Sequence, residues 1–370
     1  MKILVTGFKG FVGKNLCFWL KNSSHEVLGI DVDNQFELDN YIKQCDFIIH
    51  LAGVNRPLNN EEFYDGNTNF TKKLVDKIKD NHREDVPLIY TSSIQAEKDN
   101  DYGKSKLQAE NYLFSSGLKV YIYRLSNVFG KWCKPNYNSA VSTFIYNLIR
   151  GLPISVSNPK NVINLVYIDD ICKEFVNLIE NKIIRNDKSI NTVEPIYHKT
   201  IEEIISKINS FIEIKNNLYL PSNEDEFDKK LYSTYLSYLP IDKFSYPLNM
   251  HKDNRGSFTE IFKTDFNGQV SVNIIKKGIT KGNHYHHSKN EKFLVVKGTC
   301  STRFRKIDDN EIIEYITSGD KLEVIDIPTG YTHSITNVGE EEAVVIMWAN
   351  EPFDPNNPDT YFMEVNMDGK

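Results

Sequence analysis

Residues 1–13 read MKILVTGFKGFVG: an apolar run, then Gly7, Gly10 and Gly13 spaced as T-G-x-x-G-x-x-G, leading into VGKNLCFWLKNS with apolar residues at helical spacing. A strand that ends in a glycine-rich turn and opens into an amphipathic helix aims backbone N–H groups and a helix N-terminus at one point, where a pyrophosphate fits. Glycine suits that turn because the chain must bend tightly and approach the ligand closely. The same alternation continues to about residue 180. HEVLGID, DFIIHLAG, PLIYTSS and KVYIYRLS are apolar on successive residues, which suits strands covered on both faces, and segments such as NFTKKLVDKIKDNH lie between them with helical periodicity. This βαβ progression predicts an α/β domain on a doubly wound parallel sheet.

Outward from that half the texture changes. Residues 181–245 are rich in Lys, Asn and Glu, with IEEIISKINSFIEI as an amphipathic helix and SNEDEFDKKLYSTYLSYLP read as a connector. From Asp253 onward short β-rich segments follow: SFTEIFK, GQVSVNIIK, KFLVVKG, STRFRK, KLEVIDIP and AVVIMWA, separated by Gly, Asn and Asp turns. That pattern predicts a small antiparallel sandwich or barrel. The 370 residues therefore divide into domains 1–242 and 243–370 of different fold class.

Composition narrows the function. Lys plus Arg total 44 and Asp plus Glu 50, a net charge of −6 that gives no reason to expect a nucleic-acid partner. No stretch approaches the roughly 18 apolar residues of a membrane span. Cys17, Cys45, Cys133, Cys172 and Cys300 are scattered without a C-x-x-C pair, which fits a reducing compartment, and the first residues carry no secretory h-region. A cytoplasmic location is expected.

Three further features fall into line behind the glycine turn. Asp31 ends the second apolar run, about 20 residues on, where an acid accepts hydrogen bonds from an adenosine ribose and favours NADH. Leu51, Ala52 and Gly53 end the third run, small enough to let a cofactor lie against the backbone. Tyr102-Gly-Lys-Ser-Lys106 follows the strand end at Ser93. On a helix, i and i+4 share a face, so Tyr102 and Lys106 point the same way. An ammonium beside a phenol lowers its pKa and readies it to exchange a proton with a carbonyl or alcohol oxygen, to which Ser93 can also hydrogen-bond.

These residues resemble the extended short-chain dehydrogenase/reductase family, a Rossmann-type fold acting largely on nucleotide sugars. The resemblance covers roughly residues 1–240 through TGFKGFVG, HLAG, YTSS with YGKSK, YRLSNVFG and VYIDD. It implies Tyr102 as catalytic acid, Lys106 on the nicotinamide ribose, Ser93 orienting the substrate oxygen and Asn127 in the segment that meets the nucleotide sugar. Only VDNQFELDNYIKQC separates the second strand from DFIIHLAG, a shortening similar to the 4-keto-sugar reductases. A biosynthetic reductase of this kind implies NADPH, whereas Asp31 points to NADH.

The second half carries a different chemistry. His284 and His286 stand two apart, Glu291 follows before KFLVV, and His333 lies in PTGYTHSITN. Three imidazoles and a carboxylate suit a divalent metal, Zn²⁺ foremost, with Fe²⁺ or Mn²⁺ as alternatives. The spacing G-x5-H-x-H-x4-E-x6-G, then P-x-G-x-x-H-x3-N, resembles both motifs of the cupin superfamily across residues 278–337, with Gly319 too far from the proline and so a longer hairpin. His287 is an additional histidine beside the motif, and Tyr285 and Tyr331 can pack the core or return a proton. DNRGSFTE (Asp253 to Glu260) is similar to the opening of cupin-fold sugar-nucleotide epimerases and ketoisomerases, where a histidine near His284 is the base. His284 is thus a ligand or a base.

A reductase of the first kind followed by a cupin of the second resembles the bifunctional enzymes of bacterial capsular-polysaccharide synthesis. That resemblance implies a UDP-2-acetamido-2,6-dideoxy-4-hexulose substrate, inverted at C3 by the cupin and then reduced at C4 with NADPH or NADH. The product would be UDP-2-acetamido-2,6-dideoxy-L-talose, on the route to UDP-N-acetyl-L-fucosamine. Epimerisation comes first because the C3 proton is acidic only while C4 is a ketone. Both families commonly form homodimers. The rival readings are a plain ketosugar reductase whose cupin is structural, dimerising or sugar-binding, and a metal-dependent cupin oxygenase.

Overall fold

The computed structural model describes residues 1–221, 225–248, 251–253, 256–258, 269–351 and 356–366. The chain packs as two units, Met1–Ala140 with Asn161–Thr200, and Val141–Lys160 with Ile201–Lys370.

The first unit contains β1 (Lys2–Thr6), β2 (Glu26–Ile30), β3 (Phe47–His50), β4 (Leu88–Ser93), β5 (Val120–Leu125), β6 (Asn127–Phe129), β7 (Val162–Tyr167), β8 (Ile190–Asn191) and β9 (Tyr197–Thr200). Its main sheet is parallel throughout, in the order β2-β1-β3-β4-β5-β8. The five continuous apolar runs are its first five strands, and in four of them successive residues are buried as two-sided cover requires, Ile3, Leu4 and Val5 being wholly inaccessible, whereas the edge strand β2 is buried only at Leu28 and Ile30. Leu4, Ile48, Leu88 and Ile122, from four adjacent strands, share one core cluster. Burying each such side chain contributes about 1.5–3 kcal/mol. Helices α1 (Phe11–Asn22) and α2 (Asp101–Ser115) are the ones that bear on the site. From β1 the chain winds first to β2 on one side and then to β3 on the other. A crevice therefore opens at the carboxyl edge beside β1, where doubly wound sheets take their ligands.

The second unit carries β10 (Ser245–Pro247), β11 (His251–Asp253), β12 (Gly256–Phe258), β13 (Gln269–Ile275), β14 (Thr280–Tyr285), β15 (Glu291–Lys297), β16 (Thr299–Lys306), β17 (Ile312–Ser318), β18 (Glu323–Ile327), β19 (Tyr331–Asn337), β20 (Ala343–Ala349) and β21 (Tyr361–Phe362). They form two five-stranded antiparallel sheets, β10-β18-β15-β20-β13 and β17-β16-β19-β14-β21, with β11 and β12 paired separately. The antiparallel β character read from the sequence is present, and among the described residues no helix lies beyond Lys243. Asn254, Arg255, Thr259 and Glu260 of the DNRGSFTE stretch lie outside the described residues.

One expectation needs correcting. The stretch taken as a connector contains a helix, Glu226–Leu236, capped by Asp225 accepting from the Phe227 N–H at 2.8 Å. Its apolar face is aromatic: Tyr232 and Tyr235 stack on each other and both meet Phe211 of the helix Ile201–Asn217. Tyrosines read as neutral in a sequence window, and here packing rather than propensity holds the helix.

Candidate functional site

A cavity of about 660 Å³ opens at the carboxyl edge of the parallel sheet. Gly7, Gly10 and Gly13, Leu51 and Gly53, Ser93, Tyr102, Lys106 and Asn127 all line it. Each arrives there for a local reason. Gly7 turns with φ +71°, and a Cβ on it would meet the Ala52 nitrogen at 2.8 Å; a Cβ on Gly13 would stand 2.2 Å from the Gly7 oxygen. The turn and the first loop of α1 are thus folded too tightly for any side chain, leaving a cradle that fits a dinucleotide pyrophosphate. Thr6 ties the adjacent strand ends together, its hydroxyl accepting from the Ala52 N–H at 3.3 Å and bonding His50 at 2.7 Å.

Tyr102 sits in the first turn of α2, whose cap Asn100 accepts from the Gly103 N–H at 2.8 Å. One turn on, the buried Lys106 donates to the Thr91 carbonyl at 3.1 Å and lies 5.1 Å from the Tyr90 ring centroid. Burial pushes the Tyr102 phenol above its usual range, while a hydrogen bond with Ser93 works the other way. The phenol therefore keeps its proton at neutral pH. Burial lowers the Lys106 ammonium to about 8, against the pull of Glu110. A protonated phenol, a hydroxyl and an ammonium on one wall can deliver a proton to an oxygen that acquires negative charge.

Two of the sequence candidates lie apart from this lining. Ala52 faces Thr6 through its N–H, and Asp31 caps the turn after β2, accepting from the Val32 N–H at 2.9 Å and the Lys9 N–H at 3.2 Å. Asn127 lines the cavity with its amide donating to the Asn164 carbonyl at 3.0 Å. Sequence reasoning overlooked the segment Trp132 to Ser139, which forms a further part of the wall. A buried ion pair anchors its start: Lys131 Nζ reaches both oxygens of Asp169, at 2.7 and 2.8 Å, and the Trp19 indole donates to the same carboxylate at 2.8 Å. Asp169 belongs to the acidic VYIDD stretch, which was the one available signal.

In the second unit β14 and β19 pair with His284 opposite His333. His284, His286, Glu291 and His333 gather so that one ligand atom from each lies within 4.8 Å of all the others. The Glu291 carboxylate stands 3.5 Å from both His286 Nε2 and His333 Nε2, and neither nitrogen makes a hydrogen bond although both are buried. Burial raises the cost of ionising Glu291, but the two imidazoles facing it hold its pKa well below the usual carboxylate range. Burial drives His284 down to about 3, helped by its two histidine neighbours, and lowers His333 as well. Burial also disfavours charge on His286, yet the adjacent Glu291 leaves its pKa raised. An ionised carboxylate with mostly neutral imidazoles, whose buried nitrogens point at one another unbonded, is the donor set a divalent cation fits.

Asp359, which no sequence motif flagged, organises this cluster. Its main-chain carbonyl lies 2.6 Å from His286 Nδ1, so Nδ1 donates and Nε2 is left facing Glu291. Its carboxylate accepts from the N–H groups of His287, Ser288 and Lys289 at 2.9, 2.8 and 2.6 Å. Tyr285 is buried and stacks on Tyr361, whereas Tyr331 packs edge-on against Phe244. Asn337 of the second motif donates to the Ile275 and Glu341 carbonyls, a structural use.

Two family models match the chain. Residues 3–191 match the NAD dependent epimerase/dehydratase family, and residues 251–361 match the polysaccharide biosynthesis C-terminal domain. A UDP-2-acetamido-2,6-beta-L-arabino-hexul-4-ose reductase of Pseudomonas aeruginosa is 47% identical over 99% of both chains. The crystal structure of the capsular polysaccharide assembling protein CapF from Staphylococcus aureus is 49% identical, covering 98% of this chain and 100% of that one, with a TM-score of 0.66. A structure of CapF with the inhibitor 3-isopropenyl-tropolone is 46% identical, with the same coverage and a TM-score of 0.61.

Proposed function

Because the chain belongs to the NAD dependent epimerase/dehydratase family and, over its whole length, to the CapF family of capsular polysaccharide proteins, we propose that it is a bifunctional ketosugar enzyme. Its substrate is UDP-2-acetamido-2,6-dideoxy-4-hexulose, epimerised at C3 and then reduced at C4 to UDP-2-acetamido-2,6-dideoxy-L-talose. Domain 1–242 performs the reduction and domain 243–370, a cupin, the epimerisation. The observation that carries the reading is the meeting of Ser93, Tyr102 and Lys106 with the glycine cradle in one cavity.

A reduced nicotinamide coenzyme, NADPH in preference to NADH, supplies the hydride when bound. Gly7, Gly10 and Gly13 hold its pyrophosphate, Leu51 and Gly53 flank it, and Lys106 takes the nicotinamide ribose. Ser93 hydrogen-bonds the C4 oxygen, and Tyr102 gives that oxygen a proton as the C–H bond forms at C4. Asp31 by itself favours an unphosphorylated ribose, so the preference for NADPH rests on the family resemblance alone.

In the cupin, His284, His286, Glu291 and His333 hold one divalent ion, Zn²⁺ by donor type, and such an ion would polarise a carbonyl oxygen. His284 is the half-buried imidazole of the set, and so the one most open to a sugar. A base takes the C3 proton and leaves an enolate, a role open to His284 where it is not a ligand, and a proton then returns to C3 on the opposite face, changing configuration without changing oxidation state. The edge strand β13 turns Val270, Val272 and Ile274 to solvent, which supports a homodimer that covers them. Five buried cysteines, none of them in a disulfide, support a cytoplasmic setting.

The test is turnover of the UDP-4-ketosugar in deuterated water, following coenzyme absorbance and the product by NMR. Coenzyme oxidation with deuterium at C3 is expected. Oxidation with no deuterium removes the epimerase and leaves a plain reductase; no oxidation removes the reading altogether.

A further inference from the structure

The cavity in the first unit has a one-sided electrostatic lining. Lys9, Lys106 and Lys134 face it, and no Asp or Glu is among the residues that line it, although the chain as a whole carries a net charge of −6. Cations gathered in a cleft without counter-charges focus a positive potential and select an anion. Two of the three are already committed. Lys9, beside the glycine turn, pairs with Asp33 at 2.5 Å, and Lys106 is buried against Thr91. Lys134 is neither: it is exposed, and among the described residues it has no carboxylate partner.

Lys134 is not alone there. Its ammonium lies 5.3 Å from the ring centroid of Tyr137, and the Arg56 guanidinium lies 6.0 Å from the same ring. Arg56 follows the third strand's LAGVN segment, of which Val54 and Asn55 line the cavity, and it too has no carboxylate partner among the described residues. One exposed tyrosine ring of the wall thus lies near two cations from separate loops, Lys134 on the wall itself and Arg56 next to the lining residue Asn55. The ring restrains both side chains by cation–π attraction, so less freedom remains to be lost when an anion arrives.

We propose that Arg56, Lys134 and Tyr137 form the subsite for the diphosphate of the sugar nucleotide. The inference rests on the ketosugar-reductase reading, and chemistry then requires such a subsite. The ketone at C4 must lie at Tyr102, the diphosphate hangs on C1 across the ring, and the glycine cradle is taken by the coenzyme's own pyrophosphate. A second anion-binding group is therefore needed within the cavity. Arginine offers a bidentate fork to phosphate and lysine a point charge, a pairing suited to adjacent phosphoryl groups.

Titration calorimetry on the full-length protein tests it with UDP, uridine and NADPH as separate ligands. Wild type should bind UDP more tightly than uridine. Lys134→Gln and Arg56→Gln should each weaken UDP binding about tenfold, and the double variant should bring UDP close to uridine. Uridine and NADPH affinities should hold, which also certifies folding, and Lys134→Arg should keep most of the UDP affinity. UDP affinity unchanged in the double variant, with ketosugar turnover intact in wild type, overturns this inference alone. An equal loss of NADPH affinity assigns the cations to the coenzyme and overturns it as well. A wild type that binds NADPH but neither UDP nor uridine overturns both this inference and the substrate reading beneath it.

Discussion

The cavity of the parallel sheet and the His–Glu cluster of the antiparallel unit use charge in opposite ways. In the cavity, no acid is among the lining residues, and Lys134 stands exposed on the wall with no carboxylate partner among the described residues, open to an anionic ligand. In the cluster, an ionised glutamate stands among three imidazoles, two of which, His284 and His333, burial disfavours in the charged form, so the charge there is negative or balanced within the group itself. The first arrangement selects anions by long-range potential and can accept large ligands. The second gathers N and O donors within 4.8 Å of one another, a spacing that suits something as small as a single ion.

The largest expected effect is at the cavity. Tyr102→Phe should lower coenzyme oxidation by about 10²- to 10⁴-fold, the range for losing a general acid, while NADPH still quenches protein fluorescence on binding. A rate within a factor of ten of wild type would take proton donation away from Tyr102. At the cluster, Asp359→Asn should weaken metal binding by about 10- to 100-fold, because the N–H groups of residues 287–289 lose their charged acceptor and the segment whose main-chain carbonyl holds His286 is no longer fastened to them. Competition against a chromophoric chelator measures this, and the coenzyme affinity of the same variant should not move. If both drop together, the contrast between two separately built sites is wrong.

The smallest effect is in pH. Lys106 is cationic only below its folded pKa of about 8, since burial depresses it from the ordinary lysine value. The charged form, whose hydrogen bond to a ribose is the stronger one, is therefore lost on the alkaline side. The rate should fall about tenfold per pH unit above that point and stay level below it. A flat profile from pH 7 to 9.5 would show that Lys106 keeps its charge in the working enzyme.

Much of this was legible from local patterns. Tyr102 and Lys106 share a helix face by spacing alone, and the glycine turn follows its strand directly, so neither needed the tertiary fold to be recognised. The cluster was legible for another reason: His, Glu and Gly at fixed offsets leave few other readings. The helix Glu226–Leu236 was not legible, because its stability comes from Tyr232 and Tyr235 packing on Phe211, an interaction absent from any single window. Strands β14 and β19 were located as motifs rather than as strands, since histidines and threonines take the place of an apolar alternation. Asp359 gave no signal: an acid in an Asn- and Pro-rich turn looks like solvent-facing chain, and only folding brings it under His286 to Lys289.

The amino-acid order by itself determined the two fold classes, the dinucleotide cradle and the identity of four metal-type donors, because each depends on residues near one another in the chain or on fixed spacing. Tertiary structure alone decided that Asp169 buries against Lys131, that Asp359 orients His286, and that Arg56 and Lys134 flank Tyr137. Those arrangements join residues that no periodicity relates, and they exist only where packed backbones hold charges at distances of a few ångström.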